Sequence, residues 1–306
     1  MGAKAVAGNR DATALAVTGN RKVSMMARLW TSCLRLALAL PLALSLAAAD
    51  VAAAQTKLDA TYSATLLGIP IGHIAWTVEL RDKSFDSSAT GGLTGLLRVF
   101  TSGEAEVAAR GSMSGAKPVP TNFTLKVVAG RWSDDVRIVF SGDKAKEYVP
   151  HAPPPDASSK LVPLTDANRI GVLDPMTALL VYVPGTGATP VPEACDRNVA
   201  VFDGHTRYNL RLGFKRLDTV KSDQGYEGRV VVCSAKFSPV AGYDPKHFLV
   251  TYLASQRDIE IWLAPIDGSR LLVPYRVSMP TPMGLGILQA NKFVSLPAQS
   301  LGTNPR

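Results

Sequence analysis

Apolar and polar residues alternate along most of the chain after residue 55. Leu58, Ala60, Tyr62, Ala64 and Leu66 fall on every second position, and after Gly68-Ile69-Pro70 the pattern resumes as Ile74, Trp76, Val78 and Leu80. A period of two sends successive side chains to opposite faces, so this stretch predicts a β-hairpin with one buried face. His73 shares the other face with Thr77 and Glu79 and is expected in solvent. The alternation returns at Phe123, Leu125, Val127 and at Val136, Ile138, Phe140, with residues 130–135 as a polar turn between them. It returns again at Tyr208 to Phe214, at 229–232, at Phe248, Val250, Tyr252, and at Ile259, Ile261, Leu263. Asp267-Gly268 marks a hairpin turn leading into Leu271-Leu272-Val273. Residues 280–288 read as a Gly/Pro loop, and 290–296 as the strand that closes the sheet.

Two stretches break the period. Leu93, Leu96, Leu97 and Phe100 stand at helical spacing, which predicts a short helix over 91–101. At 174–183, Asp174 can cap a helix, Pro175 suits its first position, and the run that follows is apolar on nearly every side. The expected fold is therefore mostly β: one large curved antiparallel sheet, or a partly open barrel, wrapping one or two short helices. Pro153-Pro154-Pro155 reads as a stiff loop rather than a domain boundary. No period of 20–50 residues indicates a repeat array.

The N-terminus changes the setting. Arg28 and Arg35 precede the apolar run Leu36 to Ala49, and Ala52-Ala53-Ala54 follows as a small-x-small site. These are the three parts of a secretory signal peptide. The run is short for a membrane span, which needs roughly 20 residues. Residues 1–54 are thus expected to be an export signal cut near Ala54, with Met26 the natural start of its charged region. Residues 55–296 form a single β-rich domain on this reading, and 297–306 a disordered tail. The expected location is the periplasm, with no membrane span after cleavage.

Export lowers the apparent basicity. Of 33 basic and 25 acidic residues, six and two lie in 1–54, which leaves 27 and 23 and a net charge of +4. That mild excess gives no argument for nucleic acid. It also leaves two cysteines, Cys195 and Cys233. In an oxidising compartment they read as one disulfide that closes a loop of about 38 residues and contributes roughly 3–4 kcal/mol. The alternatives are two buried thiols, or a nucleophile pairing either cysteine with His205 or His247.

Candidate chemistry is sparse. His73, His151, His205 and His247 are scattered, with no metal-ligand spacing. No nucleophile elbow occurs after residue 54. Gly284-Leu285-Gly286 lacks the context of a phosphate loop, and no cofactor is implied. The most distinctive segment is Asp203-Gly204-His205-Thr206-Arg207-Tyr208. Asp203, Arg207 and Tyr208 could form a binding patch. The favoured reading is a turn held by an Asp203–Arg207 interaction.

Several short motifs occur together in order: Tyr62…Gly68…Gly72, Leu173-Asp174-Pro175, the Cys195…Cys233 pair, Phe202-Asp203-Gly204…Arg207-Tyr208, Pro239-Val240-Ala241-Gly242-Tyr243, and Ile261-Trp262-Leu263…Leu271-Leu272-Val273-Pro274. In these the chain resembles the domain-of-unknown-function family numbered 3108, over most of residues 58–296. The resemblance implies an exported bacterial protein and supplies no catalytic residue; it adds Trp262 to the candidate motif. By fold logic alone the expected sheet is similar to that of periplasmic lipoprotein carriers. Three functions follow as expectations. The first is a non-enzymatic envelope-integrity or scaffold protein that binds a protein or the cell wall through a solidly packed body. The second is a lipid or acyl-chain carrier with an apolar ligand in the concave face. The third is a hydrolase whose site assembles only in three dimensions.

Overall fold

A computed structural model describes residues 56–94, 103–149 and 160–297. They fall in a compact unit from Ala52 to Arg306. The segment expected to be an export signal, the Pro-rich loop at 151–155 and the expected tail after Pro297 lie outside the described residues.

The alternating segments become strands. The first seven are β1 (Thr56–Leu66), β2 (Ile69–Leu80), β3 (Ser84–Leu93), β4 (Gly103–Ser114), β5 (Lys117–Ala129), β6 (Trp132–Ser141) and β7 (Lys144–Val149), each antiparallel to the one before it. The later strands are β8 (Val181–Tyr182), β9 (Arg197–Phe202), β10 (Arg207–Lys221), β11 (Gln224–Gly225), β12 (Glu227–Ala241), β13 (Ile259–Pro265), β14 (Leu271–Thr281) and β15 (Gly284–Pro297). β15 returns to pair with β1 along its whole length, so the first and last strands lie side by side at the centre. One sheet results, in the order β7-β6-β5-β4-β3-β2-β1-β15-β14-β13-β12-β10-β9. The short β8 pairs with β14, and β11 runs parallel to β15.

Burial explains why some strands alternate and others do not. On β1 the buried positions are Leu58, Ala60 and Tyr62, as the alternation requires. On β12 the run Val230-Val231-Val232-Cys233 is wholly buried, with Val230 and Val232 in the main core and Val231 and Cys233 in a second cluster. Leu271-Leu272-Val273 on β14 divides in the same way. A strand covered on both faces reads as a continuous apolar run.

A sheet of this size has two edges with unpaired backbone groups. The segment 170–173 meets both. Ile170 bridges Lys144 of β7, and Gly171 N–H donates to the Asp143 carbonyl at 2.8 Å. Two residues on, Leu173 bridges Val201 of β9, donating to the Ala200 carbonyl and accepting from Phe202 N–H, both at 2.9 Å. The β9–β10 turn adds a side-chain contact across the same seam. His205 Nε2 lies 2.9 Å from Asp134 Oδ2 at the start of β6. Gly204, at φ +99°, sits so close that a Cβ there would stand 2.4 Å from Val136 Cγ1.

The structure departs from the sequence reading at six places. Residues 91–93 are the end of β3 rather than the start of a helix, because their backbone pairs with Gly72 to Ile74 of β2; 95–102 lie outside the described residues. The helix expected over 174–183 is only α1 (Pro175–Ala178), since Val181 and Tyr182 leave it to pair with β14. Phe248, Val250 and Tyr252 are not a strand but part of α2 (Phe248–Ser255), in which Phe248 and Tyr252 stack one turn apart. The loop expected over 280–288 shrinks to Pro282-Met283, and the turn expected over 130–135 to Gly130-Arg131; strand pairing claims the rest. Asp203 does not pair with Arg207. Its Oδ1 accepts from the backbone N–H of His205 at 2.9 Å and of Thr206 at 2.6 Å, so the turn is self-capped. The Arg207 guanidinium goes instead to the Tyr208 carbonyl and Asn209 Oδ1.

The seam contact can be tested. His205→Ala leaves the buried Asp134 carboxylate without its partner, a loss of about 1–3 kcal/mol. Calorimetry should show Tm lower by several degrees, with partial recovery in His205→Gln, which can still donate to Asp134. An unchanged Tm in His205→Ala would mean the contact does not hold the seam.

Candidate functional site

Side-chain size on the inward face is smallest at one end of β2 to β5. Near the end of the sheet marked by the Asp82-Lys83 turn, the row is Leu80 and Phe85, with Gly111 kept bare so that the Phe85 ring can lie over it. The next row is Val78, Ser87, Ala109 and Phe123. Then come Trp76, Ala89, Val107 and Leu125, followed by Ile74, Gly91, Ala105 and Val127. The last row, at the opposite end, is Gly72, Leu93, Gly103 and Ala129. Ala64 of β1 stands beside Gly72. Where alanine and glycine replace large residues, the sheet cannot fill its own interior. A cavity of about 600 Å³ results.

The far wall comes from elsewhere in the chain. Pro274 and Val277 of β14, Leu288 of β15, and Met176 and Leu179 at α1 complete the lining. The helix that carries Met176 packs against β4, β5 and β9. Asp174 fixes it there: its carboxylate accepts from Thr177 N–H at 2.9 Å and from Thr177 Oγ1 at 2.6 Å. This N-cap is fully buried, and burial pushes the Asp174 carboxyl up to about 6, against the opposing effect of the Thr177 hydrogen bonds.

Polar groups at the cavity floor are used up inside the protein. Trp76 Nε1 donates to Ser87 Oγ at 2.9 Å, and Tyr62 OH donates to the Pro274 carbonyl at 2.7 Å. Burial pushes the Tyr62 hydroxyl well above its ordinary range, so it stays protonated and a donor. His73, Thr90 and Glu104 border the cavity from intervening positions of β2, β3 and β4, whose side chains alternate to the outer face. His73 itself is exposed, as its place in the alternation requires.

None of the candidate site residues Cys195, Cys233, Asp203, Gly204, Arg207, Tyr208 and Trp262 lines this cavity. Cys195 and Cys233 are disulfide-bonded, with Cα atoms 5.4 Å apart. The bond lies in the second core cluster and ties the 181–195 segment to β12. Asp203 and Gly204 form the seam turn, and burial raises the Asp203 carboxyl despite the backbone hydrogen bonds it accepts. Tyr208 packs on Phe237 at 5.3 Å. Trp262 has different partners: Arg276 and Arg216 lie 4.3 and 5.5 Å from its ring, and its Nε1 donates to Glu260 at 3.1 Å. Glu260 also accepts from Arg216 and Lys215, and the Arg216 hydrogen bond leads in lowering its carboxyl to about 2. These are structural clusters, and among the described residues no group of His, Cys, Asp and Glu is placed to hold a metal ion.

The family described as "Protein of unknown function (DUF3108)" matches residues 60–289. The chain belongs to that family. Every cavity-lining residue named above falls inside the matched span. No curated protein matches the chain. Among solved structures, it is similar to a "beta-barrel-like protein of domain of unknown function DUF1849" from Brucella abortus. That match has a TM-score of 0.43 and 6% identity, over 80% of this chain and 98% of that one. Among the described residues no helix is long and apolar enough to cross a membrane.

The buried cap gives a test of how α1 is held. A carboxyl whose folded value is raised binds its proton more tightly in the folded state. Its contribution is then fully favourable below pH 4 and is lost as pH rises toward 6. The size is on the order of 3 kcal/mol. Asp174→Asn keeps the cap acceptor and removes the charge. Thermal melts should find the variant gaining on the native protein from pH 4 to 7. A constant difference in Tm over that range would contradict a buried, titrating cap.

Proposed function

We propose that this protein is an exported periplasmic protein that accommodates an apolar chain, of the acyl type, in the cavity between β1–β5 and α1. The observation that carries the reading is the roughly 600 Å³ space with hydrocarbon walls. Its size is that of a ligand pocket, about 300–1,000 Å³. Water is a poor occupant, because it needs two to four polar partners and the floor offers none. An acyl chain gains about 0.8 kcal/mol for each methylene it buries. Its polar end would rest at the open end of the cavity.

The N-terminal pattern of charge, apolar run and A-x-A site supports export, and a disulfide between Cys195 and Cys233 suits an oxidising compartment. The scaffold reading expects a solid interior, which the rows of alanine and glycine do not provide. The hydrolase reading expects perturbed groups gathered in a cleft. Asp174 and Glu260 instead owe their shifts to a helix cap and a salt-bridge cluster.

Filling the cavity separates ligand binding from folding. Ala89→Leu with Ala105→Leu adds side chain where there is space, so Tm should hold or rise. Binding of a fluorescent fatty acid should fall at least tenfold. Equal binding by the filled variant and the native protein would exclude the cavity as the site.

A further inference from the structure

The two ends of the sheet differ in kind. At the end away from the cavity mouth the turns carry charged, polar or small residues: Asp82-Lys83, Gly115-Ala116, Gly142-Asp143, Asp223-Gln224 and Asp267-Gly268. At the mouth they are apolar and exposed. Leu67 and Ile69 stand on the β1–β2 turn, and Met283 and Leu285 on the β14–β15 turn. Val128 and Trp132 flank the β5–β6 turn, and Phe248 and Leu249 open α2.

The first two turns are built as one tip. Leu67 N–H donates to the Leu285 carbonyl at 3.0 Å, and the Leu67 side chain lies where a Cβ on Gly284 would be, 2.3 Å from its Cδ2. Leu67 is 66% exposed and Met283 70%. Leu67 also has φ +52°, followed by Gly68 at +81°. Such a turn favours asparagine or glycine at its first central position. A leucine there strains the backbone and packs into no core, so neither the turn nor the fold accounts for it.

We propose that this end of the protein docks on a lipid bilayer, with the cavity mouth against the hydrocarbon. The proposal rests on the acyl-chain reading of the cavity and supplies its source of ligand. A chain can pass from bilayer to cavity without crossing water only if the mouth is sealed on the membrane. The tips stand apart around an opening, an arrangement that a deformable bilayer accepts and that lacks the contiguous core of a protein interface. Trp132 beside Arg131 is the pairing of aromatic and cation found at the headgroup level. Charges of both signs flank these apolar turns along the chain, Arg131 and Asp135 beside Trp132, and Asp244, Lys246, Arg257 and Asp258 on either side of α2. They complement a zwitterionic surface and do not demand an anionic one.

The test is flotation of residues 55–306 with neutral phosphatidylcholine vesicles. The apolar run at 36–49 would bind vesicles by itself, and the unit from Ala52 is compact without it. The native protein should float with the vesicles, with little dependence on salt. Leu67→Asn with Met283→Ser should lower the bound fraction at least tenfold. Asparagine suits the left-handed turn, so Tm should not fall. Native protein that stays with the soluble fraction, or a variant that floats equally well, would overturn the proposal. Fatty-acid binding in vesicle-free buffer distinguishes the two ideas. A variant that keeps the probe and loses the vesicles supports docking with the cavity intact. Native protein that floats through Leu67 and never binds the probe would leave docking standing and remove the cavity reading.

Discussion

An antiparallel sheet of this width must do something with its two edges, and the rest of the structure depends on how. Here one short segment, 170–173, meets both β7 and β9. Having paired with β9 at Leu173, the chain turns at Asp174 into α1, beside β4 and β5, and so sets Met176 and Leu179 against the inward face. It leaves by β8 and is fastened to β12 by the Cys195–Cys233 bond. Edge closure and cavity wall are therefore one device. Loosening the seam at His205 or the cap at Asp174 should disturb both.

The cavity itself is made by omission. The last two rows, Ile74 to Val127 and Gly72 to Ala129, carry less side-chain volume than those before them while the strands stay paired. Internal hydrogen bonds from Trp76 and Tyr62 remove the polar groups that would hold water at the floor. The opening then falls among turns that expose leucine, methionine and tryptophan, whereas the other end exposes lysine, aspartate and glycine. Size gradient, dry floor and apolar rim all favour a ligand that is itself hydrocarbon.

Much of the fold was legible in the sequence because burial on one face writes a period of two. The β1–β2 hairpin and the mostly β class followed from that period together with the Gly and Pro breaks, and the Asp267-Gly268 turn from its Asp-Gly pair. The errors came where backbone pairing overrode side-chain pattern. Gly91 to Leu93 look helical beside Leu96 and Leu97 yet pair with β2, and Phe248 to Tyr252 alternate yet form α2. The site was not legible because hydrophobicity scales treat alanine as simply apolar. Ala64, Ala89 and Ala105 fit the alternation as well as leucine would. Only their alignment into neighbouring rows, which the register fixes, shows that volume is missing. The more conspicuous Asp203-Gly204 and Trp262 motifs proved to hold the seam turn and a salt-bridge cluster.

The most direct measurement is organic extraction and mass spectrometry of the protein purified from the envelope fraction of its own host. The account expects an acyl lipid near one per protein molecule, and its loss from a form whose cavity is filled. No lipid beyond that recovered with an unrelated periplasmic protein would contradict it.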